Sequence, residues 1–232
     1  MAQVTDEENL LSTIRKEYPL NHPQVIVIIG HRGSGKTATA HYILEQSHKQ
    51  GRKCRFWAPL KMLREPDKYF KNAKPKQVGT SMIPIVQVMG WLDLQHMRYP
   101  NIIPNTVHLL DDVQLRHHAR EWHKNVTIDK IISMSRHEKA TLIYTTQETF
   151  RVDKNIIGDM DMLIVKKPSI FGAKFERGEI KKLMETIRNE FIKLEKEGKD
   201  ARQYSFIMSD AYEGFVGPQG LPSYWTSELG DW

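Results

Sequence analysis

The run Gly30-His-Arg-Gly-Ser-Gly-Lys-Thr37 constrains this chain more than any other feature. It has the spacing G-x-x-x-x-G-K-[ST]. Glycines there let successive backbone N–H groups curl around an anion, the lysine reaches the outer phosphates, and the hydroxyl can ligate a divalent cation. From average composition, a chain of this length would match by accident about one or two times in a hundred. Context removes most of that chance. Gln24-Val-Ile-Val-Ile-Ile29 is a β-branched run of the kind buried on both faces of a sheet. From Gly35 to Gln50 there is no proline, and Ala40, Ile43 and Leu44 recur at helical spacing before the stop at Gly51. Strand, glycine loop and helix in succession is the order that phosphate binding requires.

The rest of the chain repeats that alternation. Lys53 to Ala58, Thr106 to Leu110, Thr141 to Thr146 and Asp161 to Val165 read as further core strands. Ile128, Ile131, Ile132 and Ser135 share one face of a helix that Asn125 or Thr127 caps. Ile180, Leu183, Met184, Ile187, Phe191 and Leu194 sustain helical spacing up to Gly198. Thr5 and Glu8 form a capping box for an N-terminal helix, and Tyr204 to Met208 reads as a late strand before Gly and Pro turns. The stretch Arg64 to Gly79 is lysine-rich and interrupted by proline, so it reads as an exposed loop or a frayed helix; Met82 to Tyr99 has no clean period. The expected fold class is α/β, a mostly parallel central sheet flanked by helices on both faces. The expected organisation is an N-terminal helical appendage over 1–20, a core over 21–200, and a strand with an aromatic tail over 201–232 packed on that core.

Composition narrows the function classes. With 40% hydrophobic and 27% charged residues among 232, the chain has the balance of a folded globular domain rather than a disordered one. No stretch approaches the roughly 18 to 20 apolar residues of a membrane span, and Met1 to Leu10 is acidic rather than signal-like. The expectation is a protein without a membrane span, located in the cytoplasm. The single cysteine, Cys54, sits in an apparent strand and reads as buried filler. A formal net charge of +6 favours a polyanionic partner.

Candidate chemistry gathers at the ends of the strands. Lys36 is placed to neutralise the β and γ phosphates of ATP, within a binding segment of Gly30, His31, Arg32, Gly33, Ser34, Gly35, Lys36, Thr37 and Ala38. Thr37 and Asp111 are the candidate magnesium ligands, Asp111 through water, because a carboxylate at a strand's end facing the loop can hold the metal's water shell. Asp112 is the candidate acid to orient or deprotonate the attacking water, the plainer alternative being that an acidic pair after a strand caps a helix. Gln147 follows a core strand and emerges at the same sheet edge, where a carboxamide can bond both water and the γ-phosphate. Arg136 ends a helix, where it either complements the helix dipole or projects at a neighbour's γ-phosphate, ahead of Arg116, Arg120 and Arg151. The candidates for phosphate-type DNA contact are Lys68, Lys71, Lys74 and Lys76, and Lys166, Lys167, Lys174, Arg177, Lys181 and Lys182 around Phe171, each of which also reads as an ordinary solvated side chain. His117, His118 and His123 lack a second ligand cluster at metal spacing.

Four segments resemble the FtsK/HerA superfamily of ATP-driven DNA translocases, in particular the genome-packaging ATPases of viruses with archaeal hosts and their poxvirus-type relatives. They are Gly30 to Thr37, the strand ending Leu110-Asp111-Asp112, Ser135 to His137 with Thr141 to Gln147, and Arg151 to Ile156 leading to Asp161 to Pro168. The tail Gly220-Leu-Pro-Ser-Tyr-Trp225 is similar to the ends of archaeal members. The resemblance implies a P-loop NTPase of the additional-strand class and a homo-oligomeric ring, often hexameric. It also implies an arginine in the neighbour's site, double-stranded DNA as the load, and capsid proteins as partners. Two other readings are a membrane-associated assembly or secretion ATPase, like the filamentous-phage morphogenesis proteins, and a regulatory module that hydrolyses little.

Overall fold

The computed structural model describes residues 23–58, 60–72, 74–77, 80–82, 86–90, 104–113, 126–147, 154–169, 178–210 and 212–230. Its strands, in chain order, are β1 (Val25–Ile29), β2 (Lys53–Ala58), β3 (Lys74–Gln77), β4 (Thr80–Met82), β5 (Gln87–Gly90), β6 (Thr106–Leu110), β7 (Thr141–Thr146), β8 (Met162–Val165), β9 (Ser205–Ser209) and β10 (Glu213–Val216). Among the described residues they form one sheet, ordered β10-β9-β8-β1-β7-β6-β2-β5-β4-β3. The six strands from β8 to β5 pair in parallel. Antiparallel β9-β10 and β4-β3 extend the two edges. The sheet is therefore mostly parallel, as expected, and β7 lies between β1 and β6 as an additional strand.

Helices cover both faces because the buried strands carry apolar side chains on both. Val25, Val27 and Ile29 of β1 pack with Met184, Ile187, Phe191 and Leu194 of the long helix Gly178–Lys196 and with Ile132 of the helix Val126–His137. Ile26 and Ile28 pack the other way, with Ala40, Ile43 and Leu44 of the helix Lys36–Lys49. The alternation follows from the period of two along a strand. The helices are numbered α1 (Lys36–Lys49), α2 (Leu60–Arg64), α3 (Pro66–Tyr69), α4 (Val126–His137), α5 (Lys154–Gly158), α6 (Gly178–Lys196) and α7 (Ser227–Gly230).

Three strands, β2, β6 and β7, emerge with the expected bounds, and Cys54 is buried with its thiol against the Leu44 carbonyl. The stretch from Arg64 bears out the helical alternative over the loop, with a strand beyond it. It folds into α3 and β3, because Tyr69 and Phe70 bury in the core and Phe70 bridges to Trp225. Thr127 lies inside α4 rather than capping it. The expected N-terminal helix, Asn125, and the histidines 117, 118 and 123 lie outside the described residues.

Candidate functional site

Parallel strands place all their C-terminal ends on one edge, so the segments after β1, β6, β7 and β8 meet there. The loop 30–35 follows β1 and opens α1. That helix has no side-chain cap and no acidic residue in its first turn, which leaves its N–H donors to an incoming anion. Gly35 has φ 90°, and a Cβ there would sit 2.9 Å from the Arg202 carbonyl, so only glycine fits. Lys36 Nζ donates to the His31 carbonyl at 3.1 Å, across the loop. Ser34 is buried, with no hydrogen-bond partner for its hydroxyl among the described residues. Arg32 is exposed at the loop's tip.

The acidic pair sits where the sequence puts it. Thr37 Oγ1 donates to Asp111 Oδ2 at 2.9 Å. Thr145 Oγ1 donates to Asp111 Oδ1 and accepts from the Asp112 amide at 2.8 Å. Asp112 has φ 48°, a left-handed conformation that aspartate tolerates better than most residues, and the residue lines the cleft. Thr145 had read only as a strand residue. The available signal was its hydroxyl at the polar end of an otherwise apolar strand.

Burial, and then the charge of Asp112, push the Asp111 carboxyl up to about 6; its bonds from Thr145 and Thr37 and the charge of Lys36 pull the other way. Burial lowers the Lys36 pKa, and the charges of Asp112 and Asp111 oppose that shift. A raised carboxyl pKa means the folded chain holds the proton more tightly. Its stabilisation is complete below the ordinary value of 3.8 and is lost as pH rises through about 6. We expect Asp111 to destabilise the nucleotide-free chain as pH rises from acid to neutral, by an amount on the order of a few kcal/mol. Urea unfolding of the parent and Asp111→Asn at both pH values reads this as a stability difference that moves in favour of the variant as pH rises.

The cleft around these groups has a volume of about 720 Å³. Lys36, Thr37, Asp112 and Gln147 line it together, while Arg202 and residues 219–221 close it from the far end of the chain. Arg202 forms a bidentate pair with Asp200, at 3.0 and 2.9 Å. Sequence reasoning missed this wall, since no short-range pattern ties it to the loop.

Other expected residues lie elsewhere. Arg136 pairs with Asp161 at 3.3 Å, and Asp161 also accepts from the Val25 amide at the start of β1. That is the opposite sheet edge, about 15 Å from the loop along five strand residues. Lys166 is corrected as a DNA contact: it is fully buried, and its Nζ donates to the Arg202 carbonyl at 2.8 Å and to Ser205 at 3.2 Å. Burial drops its pKa to about 7. Lys167 is tied to Glu195 at 2.6 Å. Lys68, Lys71 and Lys182 are exposed and Lys181 half-buried. Arg116, Arg120, Arg151, Phe171, Lys174 and Arg177 lie outside the described residues, as do the side chains of Lys74 and Lys76.

The family model described as Zonular occludens toxin (Zot) matches residues 24–201. Among solved structures, the chain is similar to the genome packaging NTPase B204 of Sulfolobus turreted icosahedral virus 2 in complex with ATP-gammaS. The TM-score is 0.55 and the identity 16%, over 87% of this chain and 99% of that one. It is also similar to B204, the DNA-packaging ATPase of Sulfolobus turreted icosahedral virus, with TM-score 0.55 and 15% identity over 86% and 100%. A third likeness is to the pCW3 conjugation coupling protein TcpA with ATPgS, with TM-score 0.52 and 12% identity over 93% and 70%. At these identities the likenesses establish the fold. No curated protein sequence matches the chain.

Proposed function

Because this chain belongs to the Zot family, a family of P-loop ATPases, we propose that it hydrolyses ATP to move double-stranded DNA, loading a viral genome into a capsid. The observation that carries the nucleotide half is the convergence of Lys36, Thr37, Asp112 and Gln147 on one cleft, with Asp111 bonded behind it. The DNA half draws support from the packaging ATPases and the coupling protein that share the fold, and from the net charge of +6.

Magnesium fits the donor set. The Thr37 hydroxyl and the Asp111 carboxylate lie together, and the described residues contain no cluster of three His, Cys, Asp or Glu side chains. That suits a cation held largely by phosphate oxygens and water. When bound, magnesium neutralises phosphate charge. The chain supplies the rest: loop amides and Lys36 hold the β and γ phosphates, Asp112 takes or steers the proton of the attacking water, and Gln147 bonds that water and the γ-phosphate. Arg136, on the far edge from its own loop, serves a neighbour's site in a homo-oligomeric ring, hexameric by resemblance. Among the described residues no helix is long and apolar enough to cross a membrane, and the proposed setting is the host cytoplasm or the virion.

A second reading is an assembly ATPase driven by a protein partner. The commitment of Lys166 and Lys167 within the fold favours it, since both leave the pool of phosphate contacts. The ATPase rate with and without long duplex DNA, at low and moderate salt with Lys36→Ala as blank, decides between them. Translocation predicts stimulation that weakens with salt; hydrolysis indifferent to DNA selects the assembly reading.

A further inference from the structure

We infer that the segment 219–230 is the nucleoside wall of this cleft, with Leu221 covering the base or sugar and the Gln219 carboxamide accepting a hydrogen bond from the nucleoside. The inference rests on the nucleotide reading above. The cleft continues from Lys36 and Thr37 past Ala38 to Gln219, Leu221 and Trp225, and its 720 Å³ falls in the range of small-molecule pockets, well beyond a triphosphate alone.

The wall has the two components that such a pocket uses, apolar surface and a placed polar group. Leu221 is 63% exposed, the one large apolar side chain left open among the described residues. Trp225 is half-buried and fixed edge-on to the His41 ring at 6.2 Å, so it is a rigid panel. Gln219 is held at two points: its Nε2 donates to Thr39 Oγ1 at 2.7 Å, and its amide donates to the Gln203 carbonyl at 2.9 Å. Its Oε1 is buried with no hydrogen-bond partner among the described residues. A buried acceptor left open in a cleft wall is explained when a ligand brings the donor.

The wall is fastened before any ligand arrives. The Ser223 amide donates to Glu45 Oε1 at 3.2 Å, and the Tyr224 hydroxyl donates to the His41 carbonyl at 3.2 Å, both on α1. Phosphates on the loop and a nucleoside against 219–225 thus share α1 as their common support.

The test is equilibrium binding of ATP, inosine triphosphate and inorganic tripolyphosphate, with magnesium, to the full chain and to Leu221→Ser and Gln219→Ala. Leu221→Ser should weaken ATP about tenfold through lost apolar contact, and Gln219→Ala about fivefold through one lost hydrogen bond, with tripolyphosphate affinity unchanged. The wild-type chain's preference for ATP over inosine triphosphate identifies the donor. A preference assigns it to the exocyclic amine, and parity combined with weaker binding of 2′-deoxy-ATP assigns it to a ribose hydroxyl. Unchanged ATP affinity in both variants, or equal losses for ATP and tripolyphosphate, overturns the inference. Leu221 is exposed, so that variant folds whatever Gln219→Ala does. If the wild-type chain binds neither ATP nor tripolyphosphate, the phosphate-loop reading itself has failed and the wall falls with it.

Discussion

Replacing Lys36 with alanine should lower ATP hydrolysis by about a hundredfold to a thousandfold while leaving the fold intact. Among the described residues Lys36 is the only lysine in the cleft wall, where its ammonium donates to the His31 carbonyl and feels the charges of Asp112 and Asp111. Removing it deletes the charge that follows negative charge onto the γ-phosphate in the transition state. The fold should survive, because the side chain's one hydrogen bond among the described residues goes to a carbonyl in the same loop and burial already disfavours its charge. A steady-state phosphate-release assay reads the first effect, and thermal unfolding without nucleotide reads the second. A variant with parental turnover would remove the loop from the mechanism.

Asp112→Asn should separate binding from chemistry. Asp112 lines the cleft, and its backbone, in the left-handed region, is pinned by the Thr145 hydroxyl on its amide. Asparagine also adopts that backbone conformation readily, so the turn should hold. What disappears, on the proposed mechanism, is the proton acceptor for the attacking water. Turnover should fall about a hundredfold or more, while ATP affinity stays the same or tightens, because a negative charge facing the triphosphate has gone. Binding by calorimetry beside single-turnover hydrolysis makes the distinction. Equal losses in both would make Asp112 a structural residue. Its carboxylate is one methylene shorter than the glutamate of many translocating ATPases, so residual turnover in Asp112→Asn would direct attention to another acid.

The parts of this site legible in sequence are those whose physics is local. A glycine loop between a β-branched run and a proline-free helix needs no distant partner to be recognised, and β2, β6 and β7 are bounded by their own hydrophobic runs. The Asp111-Asp112 pair and Gln147 were found because parallel strands carry their C-terminal ends to one edge, a rule of topology. What escaped depends on contacts far apart in the chain. Gln219 meets Thr39 across 180 positions, and Thr145 meets Asp111 across 34. Lys166 misled for the same reason. A lysine after a strand ordinarily reaches solvent, but here β9 packs alongside β8, and the Arg202 carbonyl and Ser205 hydroxyl capture its ammonium. The loop alternative for Arg64 to Gly79 gave its lysines more weight than Tyr69 and Phe70, the two side chains that anchor it to the core.

The central claim, that hydrolysis at this cleft moves duplex DNA, is tested most directly by displacement of a third strand. A labelled oligonucleotide is annealed as a triplex far from the loading end of a linear duplex, and its release is followed over time. The account predicts release that requires ATP, is delayed in proportion to the distance travelled, and is absent with Lys36→Ala. Vigorous ATP hydrolysis on that DNA with the third strand left in place would contradict it.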